Sequence, residues 1–123
     1  MILSLTIIGS CIGKLVGGYD TLLITLIIFV VMDYLTGVMK AIIEKKLSSS
    51  VGFKGIFKKI LIFFLIGISV RIDLMLNDIG IRYIVIMFYL INEAISILEN
   101  AGKMGLPLPP KLNEILESLK QKN

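Results

Sequence analysis

Four ionisable side chains, Asp33, Arg71, Asp73 and Glu93, sit inside stretches that are otherwise apolar. A charged group in such a run can tie two helices together, relay a proton, or face water inside a pore. Each costs about 3 kcal/mol at the centre of a membrane span, so four of them need a structural reason. None stands beside a nucleophile that it could activate, so the chemistry on offer is electrostatic and no catalytic residue is expected. With no histidine and a single cysteine, Cys11, the chain has no internal disulfide and no ordinary zinc donor set; no metal and no cofactor are expected.

The elements that must carry these charges follow from composition. Of 123 residues, 56% are hydrophobic and 18% charged, more apolar than a small soluble domain requires. Three stretches, residues 21–43, 60–77 and 81–100, approach the roughly 20 residues that span a bilayer. They must be helical, because three strands cannot close a barrel and lipid offers no partner to an open sheet edge. The expectation is an all-α integral membrane protein, one domain over residues 1–123, with three transmembrane helices.

Flanking segments set the orientation. Lys45, Lys46, Lys54, Lys58 and Lys59 crowd the connector between the first two spans, a positive-inside signature that puts this loop in the cytoplasm. The net charge of +4 is thereby topogenic, and a nucleic-acid partner is not expected. Within that connector "LSSSVGFKG", residues 47–55, reads as a polar, glycine-punctuated turn. Tyr19 and Tyr83 then fall at the outer interface, where an aromatic ring with a polar tip sits well. Residues 1–18 form an apolar lead-in weakened by Gly9, Gly13, Gly17 and Gly18, too short to span and lacking the basic start of a secretory signal. Beyond Gly105, Pro107, Pro109 and Pro110 stop the third helix. A short amphipathic helix restarts at Pro110, with Leu112, Ile115, Leu116 and Leu119 at helical spacing; residues 103–123 read as a cytoplasmic tail.

Depth brings the charges together. Asp33 lies roughly 16 Å from the inner boundary at Glu44, and Glu93 reaches a similar depth from Arg82. Side chains lean toward a helix's N-terminus, so Arg71 is expected to lean toward Asp33 and pair with it. The polar faces agree: Asp33, Thr36, Gly37, Lys40 and Glu44 share one side of the first span, Ser69, Asp73 and Asn77 one side of the second, and Tyr89, Asn92, Glu93, Ser96 and Asn100 one side of the third. Gly37 and Ser96, small residues on those faces, are candidates for close helix packing, Gly37 within an oligomer. Such faces can hide against each other in one chain or turn toward a shared aqueous lumen in several.

Three motifs, "DYLTGVMKA" (residues 33–41), "SSSVGFKGIFKK" (48–59) and "EAISILENAGKMGLPLPP" (93–110), in this order and with this spacing, resemble the toxin-secretion and phage-lysis holins, small multi-pass proteins of the bacterial cytoplasmic membrane. The resemblance implies a protein that accumulates in the membrane as a homo-oligomer and then opens holes. Through these a cell-wall hydrolase or a toxin leaves the cytoplasm. Two other classes fit the residues alone: a small proton-coupled exporter built around Asp33 or Glu93, and a regulatory membrane protein such as an antagonist of a holin.

Overall fold

The computed structural model describes residues 1–122, with side chains through Ser118, and is entirely helical among them. Five helices follow in order: α1 (Ile2–Leu15), α2 (Thr21–Ile43), α3 (Ser49–Met75), α4 (Ile81–Lys103) and α5 (Pro110–Lys122). Two of them, α2 and α4, are long and apolar enough to cross a membrane, at 23 residues each. That is roughly 34 Å of helix, matched to a hydrocarbon core of about 30 Å. The 27-residue α3 is longer but carries Lys54, Lys58, Lys59, Arg71 and Asp73.

The start of α3 corrects the expected turn. Ser48 has extended backbone and its Oγ accepts from the Val51 N–H at 3.3 Å, an N-cap that satisfies one of the orphan donors of the first turn. The helix therefore begins eleven residues before the apolar run at Ile60. Gly52 and Gly55 are not turn residues. Both face Tyr34 of α2, and a Cβ added at Gly52 would lie 3.4 Å from the Tyr34 hydroxyl. The glycines of the lead-in serve a similar end: residues 2–15 are helical despite Gly9 and Gly13. Tyr19 folds back over them, its hydroxyl donating to the Gly9 carbonyl at 2.6 Å and its ring filling the space above Gly13.

Helices α2 and α4 run parallel and pack along much of their length; α3 lies antiparallel against α4 and touches α2 only sparsely. The residues that meet are separated alternately by three and four positions: Leu23, Leu26, Val30 and Asp33 on α2, and Lys59, Ile62, Ile66, Ser69 and Asp73 on α3. This spacing is that of helices crossing at a shallow angle with side chains interleaved. The apolar centre joins Val16, Leu23, Leu26, Val30, Ile62, Ile66 and Ile86.

Polarity is inverted relative to a soluble bundle. Asp33, Ser69, Asp73, Glu93 and Asn100 are buried, while Phe64, Ile68, Leu74, Ile84 and Phe88 point outward and are more than half exposed. Water would penalise that surface at about 25 cal/mol per Å², whereas hydrocarbon tolerates it. At the far end α5 folds against the last turns of α4, where Leu116 is buried beside Leu98 and Gly102. Of the expected tail stripe Ile115 remains exposed, and Leu119 lies outside the described side chains.

The α1 to α2 turn depends on Gly17, whose φ of +84° disfavours any side chain and whose added Cβ would stand 2.6 Å from Arg82 Nε and 3.1 Å from Val70 Cγ2. At Gly18, φ is +100° and nothing lies within 4 Å. Gly17→Ala therefore combines backbone strain with displacement of Arg82 and should lose about 2–3 kcal/mol, against roughly 1 for Gly18→Ala. Thermal unfolding of the two variants in detergent tests this: equal losses would show that the Arg82 contact carries no weight.

Candidate functional site

The charges converge in two places. In the middle of the bundle the Lys59 ammonium donates to Asp33 Oδ2 at 2.7 Å and to Glu93 Oε2 and Oε1 at 3.0 and 3.3 Å. One cation thus joins all three long helices, α3 to α2 and α3 to α4. The Asn100 amide completes the shell, donating to Asp33 Oδ1 at 3.2 Å and to Thr36 Oγ1 at 3.0 Å, and the Ser96 hydroxyl faces the Asp33 carboxylate. No buried side-chain nitrogen or oxygen among the described residues lacks a partner. With every group ionised the cluster holds two carboxylates and one ammonium, one negative charge in excess.

This arrangement corrects the expected pair. Arg71 is exposed on the outside of α3 and makes no contact with Asp33; it sits off the buried three-and-four stripe, one turn from the helix end, where a long side chain can reach polar surroundings. Lys59, grouped by sequence with the loop lysines, takes its place. Lys45, Lys46, Lys54 and Lys58 are all exposed, whereas Lys59 falls on the stripe that continues through Ile62, Ile66, Ser69 and Asp73. That spacing is the signal that separates it from its neighbour Lys58. Gly37 lies beside Asn100 of the same chain, 3.8 Å from where a Cβ would be, so the close approach it allows is within the monomer, between α2 and α4.

The second cluster ties the opposite ends of the helices. Asp73, expected to be an intramembrane charge, is an end cap: its two oxygens accept from the Ile81 and Arg82 N–H groups at 2.8 and 2.9 Å, closing the first turn of α4. Arg82 in turn donates to the carbonyls of Val16 and Gly18 at 2.7 and 3.1 Å and pairs with Asp20 at 2.8 Å. Asp20 also caps α2 through the Leu23 N–H at 3.0 Å. The guanidinium and that N–H hold the Asp20 carboxyl below the usual carboxylate range. Sequence reading took Arg82 only as the start of a span; an arginine can satisfy orphan carbonyls at one helix end and the capping carboxylate of the next.

A groove of about 470 Å³ runs from the lysine connector to the central cluster, between α2 and the early turns of α3. Lys40, Glu44 and Lys46 stand at its mouth, Tyr34 and Gly52 along its wall, and Asp33 at its floor. The buried charges are thus reached from one end of the bundle and sealed from the other by the apolar layer of Leu23, Leu26, Ile66 and Ile86, all 0% exposed.

An apolar-surfaced helical bundle around a buried charge cluster, with a groove leading to it, has the build of a membrane protein. Residues 10–121 match the bacteriophage holin family, and the chain belongs to it. Among its relatives are an uncharacterised 14.9 kDa protein in the nagH 3' region of Clostridium perfringens, 41% identical over 94% of this chain and 89% of the relative, and an uncharacterised protein of Listeria monocytogenes, 44% identical over 88% and 78%. A more distant one from Bacillus subtilis is 32% identical over 92% and 85%. No solved structure matches the chain.

Removing one partner from a buried charge cluster leaves the others uncompensated, a loss of about 3–5 kcal/mol. Lys59→Met should destabilise the bundle by that amount, while Arg71→Met should stay within roughly 0.5 kcal/mol. Adding Asp33→Asn and Glu93→Gln to Lys59→Met should recover part of the loss. Denaturant unfolding in mixed micelles measures all three; equal sensitivity at positions 59 and 71 would contradict the assignment.

Proposed function

We propose that the chain is a holin that spans the bacterial cytoplasmic membrane three times, through α2, the apolar part of α3, and α4, and assembles into holes that release a cell-wall hydrolase or a toxin. The observation that carries this reading is the Lys59, Asp33 and Glu93 cluster, buried in a bundle with an apolar exterior, in a chain of the holin family. The positive-inside rule orients the lysine connector and α5 toward the cytoplasm, and the Asp20 and Arg82 end outward.

Charge balance then governs opening. Withdrawing α3 from α2 and α4 would present an ammonium and two carboxylates to lipid at about 3 kcal/mol each, so a chain surrounded by lipid stays closed. Several copies that open together offer one another a water-filled lumen in which the same groups are hydrated. Opening is therefore disfavoured singly and allowed collectively, which suits a protein that accumulates before it acts. The sparse α2 to α3 contact and the groove along it make this the seam that parts.

Asp33→Asn removes one of the two anions that hold Lys59 and should advance or abolish permeabilisation, as read by turbidity and membrane potential in cells co-expressing a cytoplasmic hydrolase. Unchanged timing at equal membrane levels would refute the role of the cluster. Release of the hydrolase separates this reading from a proton-coupled exporter, which would pass small solutes only. Deleting residues 111–123 removes Leu116 from the end of α4 and should change when holes appear but not whether they form. A truncated chain that inserts yet never permeabilises would make α5 part of the hole.

A further inference from the structure

The helix that the proposed mechanism leaves unused is α1. Its 14 residues make roughly 21 Å of helix, too short for a bilayer core of about 30 Å. It barely touches the bundle along its length, yet its root is embedded. Val16, the residue that ends it, is 4% exposed and belongs to the central apolar cluster with Leu23, Ile66 and Ile86. The Leu15 carbonyl also stands 3.5 Å from where a Cβ at Gly67 of α3 would be, two turns below the end of that helix. So α1 leaves the bundle below its end and not from a loop above it.

Its surface is apolar over most of its circumference. Ile2, Leu3, Leu5, Ile7, Ile8, Ile12 and Leu15 are between 48% and 79% exposed, and at 100° per residue they leave open only one arc of about 100°, where Thr6 and Ser10 stand. A protein groove covers one face of a helix; a helix apolar over most of its circumference calls for an apolar solvent. Few polar groups interrupt it: the Thr6 hydroxyl donates back to the Ile2 carbonyl, Tyr19 from the following turn donates to the Gly9 carbonyl, and Ser4 and Ser10 are small. The charge, Lys14, sits in the last turn, from which a long side chain reaches the headgroups.

We infer that α1 is embedded in one leaflet of the membrane, the leaflet at the Asp20 and Arg82 end, with acyl chains packed round it. Embedding rests on the exposure, length and depth of α1 alone; naming that leaflet as the outer one rests on the proposed topology. Arg82 holds the helix there by fastening its C-terminal carbonyls to the start of α4.

Cys11, exposed on α1 and the sole cysteine, is a native probe of this placement. The chain is reconstituted one copy per lipid nanodisc, so that lipid and not a second copy does the shielding. A water-soluble maleimide should label Cys11 at least about tenfold more slowly than a cysteine at Asp78 in a Cys11→Ser, Asp78→Cys chain, since the bilayer core holds no water. A fluorophore at Cys11 should be quenched more strongly by lipids brominated near the ester than by lipids brominated at the chain terminus. Labelling as fast as at position 78, with no lipid quenching, would put α1 in water and overturn the inference. Quenching greatest by the terminally brominated lipid would make α1 cross the midplane and overturn it equally. Sidedness in intact spheroplasts, read from Asp78→Cys, tests the topology separately, so an inverted chain would change the leaflet's name without touching the embedding.

Discussion

One lysine holds the bundle together. The Lys59 ammonium, shared between Asp33 and Glu93, is the point at which α2, α3 and α4 meet, and lipid offers nothing to replace it. Among apolar helices in lipid there is little hydrophobic drive to associate, so packing and polar contacts decide which faces meet. The three-and-four stripe of α3 sets the face, and the charge at its start sets the register: a shift of one turn would leave two carboxylates without a cation. Asn100, Thr36 and Ser96 narrow the geometry further by occupying the remaining acceptor sites of Asp33 and its turn.

The second cluster works differently. Asp73, Arg82 and Asp20 hold helix ends and not helix faces, closing backbone groups that would otherwise be unsatisfied in an apolar setting. Between the two clusters lies the apolar layer of Leu23, Leu26, Ile66 and Ile86. The bundle is thus fastened at its top, sealed in its upper half, and charged in its middle, with the groove leaving the lower half of the α2 to α3 seam open.

Much of this was legible in the chain. Hydropathy and the run of lysines marked α2 and α4 almost to the residue, Pro110 marked the restart of α5, and the depth argument brought Asp33 and Glu93 to one level. The cationic partner was misread because a lysine beside a span boundary looks topogenic, and because Gly52 and Gly55 look like turn residues until the Tyr34 ring that occupies them is known. Both errors have one origin: the apolar run of α3 begins at Ile60 while its helix begins at Ser49, so composition located the hydrophobic stretch and not the helix. Asp73 reads as an intramembrane charge and Arg82 only as the start of a span, whereas both close backbone groups at helix ends, and no side-chain periodicity reports those. Helix α1 was undervalued for its glycines, whose cost Tyr19 offsets by packing on them.

The Arg82 clamp also carries a consequence for how the chain is made. The carbonyls and carboxylate it binds, at Val16, Gly18 and Asp20, precede it by more than sixty residues, so α1 and α2 are made well before the side chain that fixes their junction exists. At about 5–20 residues per second that interval lasts several seconds. Glu93 follows later still, so the chain emerges with Asp33 and Lys59 in place before the second carboxylate of the cluster. The hairpin of α2 and α3 brings one cation and one anion to this point; the second carboxylate reaches the cluster only with α4.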